Sequence, residues 1–490
     1  MKLTHLQLLL CIFVFITGWQ SAAHADTPSK NVRNDQINKP NIIYIMADDL
    51  GYGDIGSYGQ QKIKTPNLDK LALDGMRFTQ HYAGSTVCGP SRASLLTGLH
   101  SGHSPIRGNP RWTNSGKPVD LSHQDNTLAK MLKKQGYSTA AIGKWGLSEA
   151  AENDHQSMPL AQGFDYFFGV KTHSEAHHYY WHRLFENNQA YLLKQNDYLT
   201  NTGIYTHDLF TDKAIDFVNR QKTEQPFFLY LAYTIPHLAL TVPEDSKKPY
   251  QSLGWPKRAM KTNGHYKNDL EGNTTYAGMV SRMDKDIGKL LNVLKQKGID
   301  ENTLVIFTSD NGHEYDNNFF NSNGPLRGKK RDLYEGGIRV PMIAKWPKVI
   351  KDNSESAHLS AFWDMMPTFC QISGSINCPK TDGISLLPTL AGKPHQQEKH
   401  SYLYWEFNEK QGPIQALRHK QWKLVKFKDK PAELYNLTTD IAESNNVAKQ
   451  EPKILTAMLA MLSESRSEHP EFTLQKLNPY KKKASKNSNK

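Results

Sequence analysis

The sequence predicts an α/β protein: a large, mostly parallel sheet flanked by helices, followed by a smaller antiparallel sheet with one packed helix. Three observations carry this expectation. Continuous apolar runs rich in β-branched residues, the pattern of strands buried on both faces, alternate with segments whose apolar residues recur at helical spacing. Four of those runs finish on polar, chemically capable residues, and in parallel sheets ligands collect outside the carboxyl ends of the strands. From about His400 the pattern changes to short strands joined by tight turns.

Asn41 to Ala47 reads as a central strand ending on Asp48 and Asp49. Thr65-Pro66-Asn67 opens a helix through Leu68, Leu71 and Ala72 that Gly75 closes. A helix over about Asn126 to Gln135 feeds a short strand, Tyr137 to Ile142, which leads to Gly143-Lys144-Trp145. The helix at about Thr206 to Gln221 precedes the run Pro226 to Ala232, and Pro236-His237 follows. The long helix expected over about Tyr276 to Lys297 has Met279, Met283, Ile287, Leu290, Leu291 and Leu294 as its buried stripe. It leads to Thr303–Thr308 and then Asp310-Asn311-Gly312. Ser401–Phe407, Ile414–Arg418, Trp422–Phe427 and Glu433–Tyr435 are the expected antiparallel strands, with a helix over about Pro452 to Ser463.

At 490 residues, with 38% hydrophobic and 22% charged residues, the chain has the composition of a large globular protein. Residues 1–25, with an early lysine, an apolar run from Leu8 to Ile16 and Ala23-His24-Ala25 before Asp26, read as a secretory signal. The expected location is therefore periplasmic or secreted, with no membrane span after cleavage. A linker is expected over 26–39, the large catalytic domain over 40–395, a C-terminal subdomain over 396–470 and a basic, disordered tail over 471–490. The net charge of +12 favours polyanions. Outside the tail the basic residues are dispersed, and no nucleic-acid partner is expected. Cys11 leaves with the signal; Cys370 and Cys378, eight apart, are a candidate disulfide in an oxidising compartment, and Cys88 remains as the odd one.

Cys88 lies in Cys-Gly-Pro-Ser-Arg, where Gly89 and Pro90 break any incoming strand and Ala93 to Thr97 favour helix up to Gly98. The thiol is thus expected at or just before a helix N-terminus, where free N–H groups favour an anion and Arg92, a turn later, points back to the same spot. Asp48, Asp49, Asp310 and Asn311 form a hard-oxygen set suited to Ca²⁺ or Mg²⁺ and lacking the soft ligands zinc favours.

Cys-x-Pro-Ser-Arg with Leu-Thr-Gly resembles the signature of the type I, formylglycine-dependent sulfatases of the alkaline-phosphatase-like superfamily. Asp-Asp-x-Gly, Gly-Lys-Trp, Asp-Asn-Gly and Tyr334-Glu335-Gly336-Gly337 follow in family order, from Asn41 to about Asn446. The resemblance implies that a formylglycine-generating enzyme converts Cys88 to 3-oxoalanine (formylglycine), and that residue 88 with Asp48, Asp49, Asp310 and Asn311 holds Ca²⁺. It implies catalytic or sulfate-facing roles for Arg92, Lys144, His237 and Lys330, with Lys329 as the alternative to Lys330. A hydrated formylglycine offers one hydroxyl to attack sulfur and a second whose deprotonation expels sulfate. Many relatives read Gly-Lys-Trp-His, whereas this chain has Gly146. Either the role of that His is unfilled or another His supplies it, the nearest being in His173-Ser174-Glu175-Ala176-His177-His178. His173, His177 and His178 are the candidate substrate wall, and Arg107, Trp112 and His103, soon after the signature helix, are weaker substrate-binding candidates of the same kind. The expected reaction is hydrolysis of a sulfate monoester on a carbohydrate. Phosphonate or phosphodiester hydrolysis by the same site, and non-catalytic binding of a sulfated glycan, are the alternatives.

Overall fold

The computed structural model describes residues 39–149, 155–261, 266–315 and 318–477. The expected signal, all but the last residue of the linker, and residues 478–490 of the expected tail lie outside the described residues; of that tail, 471–477 are described, with Phe472 buried and the Thr473 carbonyl accepting from Asn408. Among those described, no helix is long and apolar enough to cross a membrane.

A ten-stranded sheet runs Ser354–Ser356, Met76–Phe78, Met342–Lys345, Thr303–Ser309, Asn41–Ala47, Phe227–Ala232, Ser138–Lys144, Tyr166–Val170, Arg183–Glu186, Gln189–Leu192. The five strands from Thr303–Ser309 to Tyr166–Val170 are mutually parallel. Ile45 sits opposite Leu231 on one neighbour and Phe307 on the other. That register aligns the carboxyl ends, so the residues after Ala47 and Ser309 emerge side by side.

Alternation along Asn41–Ala47 divides the interior. Ile43 and Ile45 join a core with Phe210, Phe217 and the stripe Met279, Met283, Ile287 and Leu290. Ile42, Tyr44 and Met46 face the opposite core, which includes Leu95, Leu96, Leu128 and Phe369. Burial on both faces is why this strand is apolar throughout, and each such side chain contributes about 1.5–3 kcal/mol. The long helix runs Gly272–Gln296, beginning one turn before the expected Tyr276 because Gly272 to Thr275 are themselves buried.

The second sheet is antiparallel, Leu403–Glu409, Gly412–His419, Trp422–Phe427 and Glu433–Asn436 in order. One face packs Trp405, Phe407 and Ile414 against Tyr82, Val87 and Trp363, and the Trp405 indole donates to the Ala83 carbonyl at 2.9 Å. The other face is covered by Met458 and Leu462 of the helix Pro452–Glu464. Cys370 and Cys378 form a disulfide.

The strands absent from the sequence reading are the sheet's flanks: Tyr166–Val170, the hairpin Arg183–Glu186 with Gln189–Leu192, and the short strands Met342–Lys345, Met76–Phe78 and Ser354–Ser356 at the other end. At three to five residues, most of them containing a glycine or a charge, they carry too little periodicity to be read alone.

Candidate active site

The helix Cys88–Thr97 begins on Cys88 itself, with Val87 as its extended N-cap and Gly98 in the left-handed region as its C-cap. All ten of its residues are buried, and Ala93, Leu95 and Leu96 join the core that holds Phe362 and Phe369 on one face of the large sheet. Gly89 N–H donates to Asn109 Oδ1 at 3.3 Å, and Ser91 Oγ donates to the Asp310 carbonyl at 2.5 Å. The first bond ties the helix start to the loop that carries Asn109, the second to the end of Thr303–Ser309.

Three carboxylates each meet one cation at 2.7 Å: Asp48 with Lys144, Asp310 with Arg92, and Asp49 with Lys330. Arg92 reaches Asp310 Oδ2 through both Nε, at 3.0 Å, and Nη2, and spends Nη1 on the Lys144 carbonyl at 3.0 Å. One guanidinium thereby joins the ends of two strands to the helix. Lys330 Nζ also lies 3.0 Å from His237 Nε2 and 3.1 Å from Glu314 Oε2. The Cys88 thiol lies 4.0 Å from Asp49 Oδ1 at the centre of the group.

Burial dominates the electrostatics. It pushes the Cys88 thiol, Asp49 and Asp310 up, the carboxylates' mutual repulsion adding to the effect on the two acids. For Asp48 burial acts in the same direction, but Lys144, Arg92 and Lys330 together outweigh it and hold that carboxyl below its usual range. Burial and the neighbouring lysines keep His237 neutral, its pKa well below the ordinary value.

Ligand atoms of Asp48, Asp49, Cys88 and His237 come within 4.8 Å of one another. Asp48 Oδ1 and Asn311 Oδ1 are buried without a hydrogen-bond partner, while Asn311 Nδ2 is committed to Asp49 Oδ1 at 2.7 Å. Two orphaned hard oxygens among buried carboxylates fit a divalent cation of the Ca²⁺ or Mg²⁺ type. Asp310 has both oxygens engaged, by Arg92 and by the Asp49 N–H.

The substrate-binding candidates separate into three fates. His177 stacks on His237 with centroids 4.3 Å apart and planes 7° apart, and His173 meets His177 edge-on at 5.4 Å. Their atoms His173 Nδ1 and His177 Nε2 are buried and unpartnered. His178 turns away, stacking on Trp181 at 5.0 Å and meeting Tyr198 at 4.5 Å. Arg107 is a correction: its guanidinium bonds the Ser104 carbonyl, Glu406 and Ser467, so it ties its loop to the C-terminal sheet. His103 is bound to Asp382 at 2.9 Å, and Trp112 lies beside Arg107 and Phe472. Of the two lysines weighed for the second cation, Lys330 is buried in the cluster and Lys329 is exposed.

Two members were not read from the sequence. Glu314 bridges Lys330 and Arg331. Tyr266 packs edge-on to His177 at 5.2 Å. Glu314 lies three residues beyond Asn311 on the loop leaving the same strand, a position that offered a signal; Tyr266 offered none.

The family model for sulfatases matches residues 40–375, and one for the N-sulphoglucosamine sulphohydrolase C-terminal region matches 328–468. The chain belongs to the sulfatase family. It is a sulfuric ester hydrolase. Human steryl-sulfatase is 29% identical over 79% of this chain and 73% of its own length. The N-acetylgalactosamine-6-O-sulfatase of Bacteroides thetaiotaomicron is 29% identical over 93% and 97%. Among solved structures, Ps i-CgsB in complex with k-i-k-neocarrahexaose superposes with a TM-score of 0.74 at 30% identity, covering 89% of this sulfatase and 95% of that chain. The large mixed sheet with a separate four-stranded antiparallel sheet is thus the sulfatase fold, of the alkaline-phosphatase-like type.

Proposed function

We propose that this sulfatase hydrolyses sulfate monoesters on a carbohydrate, using residue 88 as formylglycine and a bound Ca²⁺. The observation that carries the reading is the convergence of Cys88, at the head of its helix, with three carboxylates, Asn311, Lys144 and His237 at or beyond four strand ends, and with Lys330 from the loop before Tyr334. Carbohydrate is supported by the aromatic and His segment beside the site, by the net charge of +12, and by the sugar substrate named for the Bacteroides relative and the hexaose in the Ps i-CgsB complex.

Asp48, Asp49, Asp310, Asn311 and residue 88 would hold the cation, which would supply a Lewis acid for a sulfate oxygen. Formylglycine hydrate supplies a nucleophilic hydroxyl and a second one for release of sulfate. Lys144 and Lys330, both close enough to act electrostatically on residue 88, are the fixed charges for the sulfate oxygens as charge shifts to the leaving alcohol. Arg92 is a positioning residue, fully buried and committed to Asp310 and the Lys144 carbonyl.

His173 takes the place that Gly146 leaves open. Gly146 has φ of +69°, and a Cβ there would lie 3.5 Å from Lys144 Cε and 3.9 Å from His173 Nδ1. A side chain is absent at 146, and an unpartnered ring nitrogen from the His-rich segment stands beside that space. His177, stacked on His237, is the candidate on the leaving-oxygen side.

The test begins with the mass of the Cys88 peptide from protein made in its own host. Exchange of the sulfur for oxygen is expected, together with sulfate release from sulfated sugars that a Ca²⁺ chelator abolishes. An intact thiol in protein that still releases sulfate would overturn the formylglycine reading. Faster turnover of aryl phosphonates or phosphodiesters than of any sulfate ester would overturn the substrate class.

A further inference from the structure

A cavity of about 600 Å³ opens between the edge of the large sheet and the four-stranded sheet, and it shares no residue with the Cys88 site. Its lining contains Arg339, Arg418, Lys399 and Lys420, with His358 and His400, and no carboxylate. Leu359, Leu437 and Ile441 supply an apolar wall.

The cations differ in how far the chain neutralises them. Arg339 is held by Glu335 at 3.3 Å and the Thr79 carbonyl at 2.8 Å, and His400 by Asp364 at 2.7 Å. Glu335 is matched in addition by Lys423 at 2.8 Å. Arg418, only 5% exposed, gives Nη2 to the neutral Gln80 side chain at 3.0 Å, while Nε and Nη1 meet no acceptor. His358 Nε2 is likewise buried and unpartnered. Lys399 and Lys420 are exposed at the rim, Lys420 at the turn between two strands. Burying a guanidinium with unused donors is costly, and an incoming oxyanion is the group that would offset the cost. The volume falls within the roughly 300–1,000 Å³ of small-ligand sites and far exceeds a bare tetrahedral anion.

We infer that this cavity is a second oxyanion site that takes a sulfate group. The sulfate is carried either by a saccharide, whose ring rests on the apolar wall, or by free inorganic sulfate. The saccharide source rests on the function proposed above; the oxyanion affinity does not.

Binding is measured by calorimetry on full-length Cys88→Ala protein, which cannot turn substrate over, with inorganic sulfate and with 6-sulfated N-acetylgalactosamine as probes. The comparison protein carries Lys399→Glu and Lys420→Glu as well, two exposed changes checked for unaltered melting. Arg418→Gln is the third protein. The unaltered cavity is expected to bind one equivalent of probe more than the double variant, and Arg418→Gln to weaken that equivalent at least tenfold. Equal stoichiometry and affinity for both probes in all three proteins would overturn the site. A second equivalent that prefers the sulfated sugar assigns the cavity to saccharide, whereas equal affinity for inorganic sulfate assigns it to the free ion. In otherwise unaltered enzyme, the rim variants are expected to leave turnover of a small aryl sulfate unchanged. If no sulfated sugar is hydrolysed, the carbohydrate reading falls, and the sulfate titration still decides the cavity.

Discussion

Replacing Arg92 tests whether the buried charge cluster is built as the geometry indicates. Its guanidinium makes two bonds to Asp310 Oδ2, at 3.0 and 2.7 Å, and one to the Lys144 carbonyl at 3.0 Å, with Asp48 Oδ1 at 3.7 Å. Arg92→Lys keeps the charge but has no planar fork. One charge-assisted bond goes, worth about 1.5–3 kcal/mol, and the Lys144 carbonyl is left unpaired at about 1–3 kcal/mol. The expected loss is therefore about 2.5–6 kcal/mol. Arg92→Met removes the charge and leaves Asp310 buried without its partner, itself about 3–5 kcal/mol before the orphaned carbonyl is added. Against a total stability of about 5–15 kcal/mol, the Met variant should be largely unfolded and the Lys variant folded but weakened. Urea unfolding followed by tryptophan fluorescence suits the question, because Trp145, adjacent to Lys144, is 1% exposed. If both variants unfold within about 1 kcal/mol of the parent, the cluster does not anchor the helix and the reasoning fails.

Lys330→Ala should lower turnover of a sulfate ester by about 10²–10³-fold, whereas Lys329→Ala, at an exposed position, should leave it at the parental level; steady-state kinetics on the pair decides between the lysines. Glu443 is raised from 4.5 to about 7 by burial, with repulsion from Glu335 adding to it against the pull of Lys423. The folded state therefore holds this proton more tightly than the unfolded chain, and the associated stability is complete below about pH 4.5 and lost as pH rises through 7. Glu443→Gln, which mimics the protonated form, should melt close to the parent at pH 5 and above it at pH 8; a constant difference across that range would refute the assignment. Cys370→Ser with Cys378→Ser opens a disulfide of sequence separation 8, and loop closure alone predicts a loss of about 2.5 kcal/mol in chemical denaturation.

The parts of the site legible in the sequence are those whose chemistry and local conformation coincide. Gly89, Pro90 and Gly98 bracket a helix, so Cys88 had to sit at its start. Asp48, Lys144 and Asp310 follow runs too apolar to be anything but buried strands, so their placement at one end of one sheet follows from parallel pairing. Arg107 shows the opposite case. Nothing local distinguishes an arginine that faces a ligand from one that faces Glu406, about 300 positions away, and only tertiary packing decided it. The His-rich segment was visible as composition, yet His177 and His178, adjacent in sequence, point to different neighbours because the chain there is a short 3₁₀ turn between strands. Glu314 escaped notice because its role depends on Lys330, sixteen residues on in the same long connection, and only the folded path of that connection brings the two together.

The two cationic regions make different physical use of the same residue types. Around Cys88, each strong cation is matched by a carboxylate at 2.7 Å, so the charges cost little to bury together and their value lies in fixed position. Such a site attracts an anion only at short range, where the individual charges are resolved. In the second cavity Arg418 is unmatched by any hydrogen-bonded carboxylate and Lys399 and Lys420 are exposed, so their field extends into solvent over about a Debye length of 8 Å at physiological salt. Matched cations suit selective stabilisation of a transition state, since that requires no reorganisation; unmatched ones suit capture of a polyanion, since attraction at a distance requires uncompensated charge. If the saccharide proposed above carries more than one sulfate, both kinds of cation have a use, because the group that is cleaved and a group that holds the chain in place would be chemically alike and told apart by where each kind of cation stands.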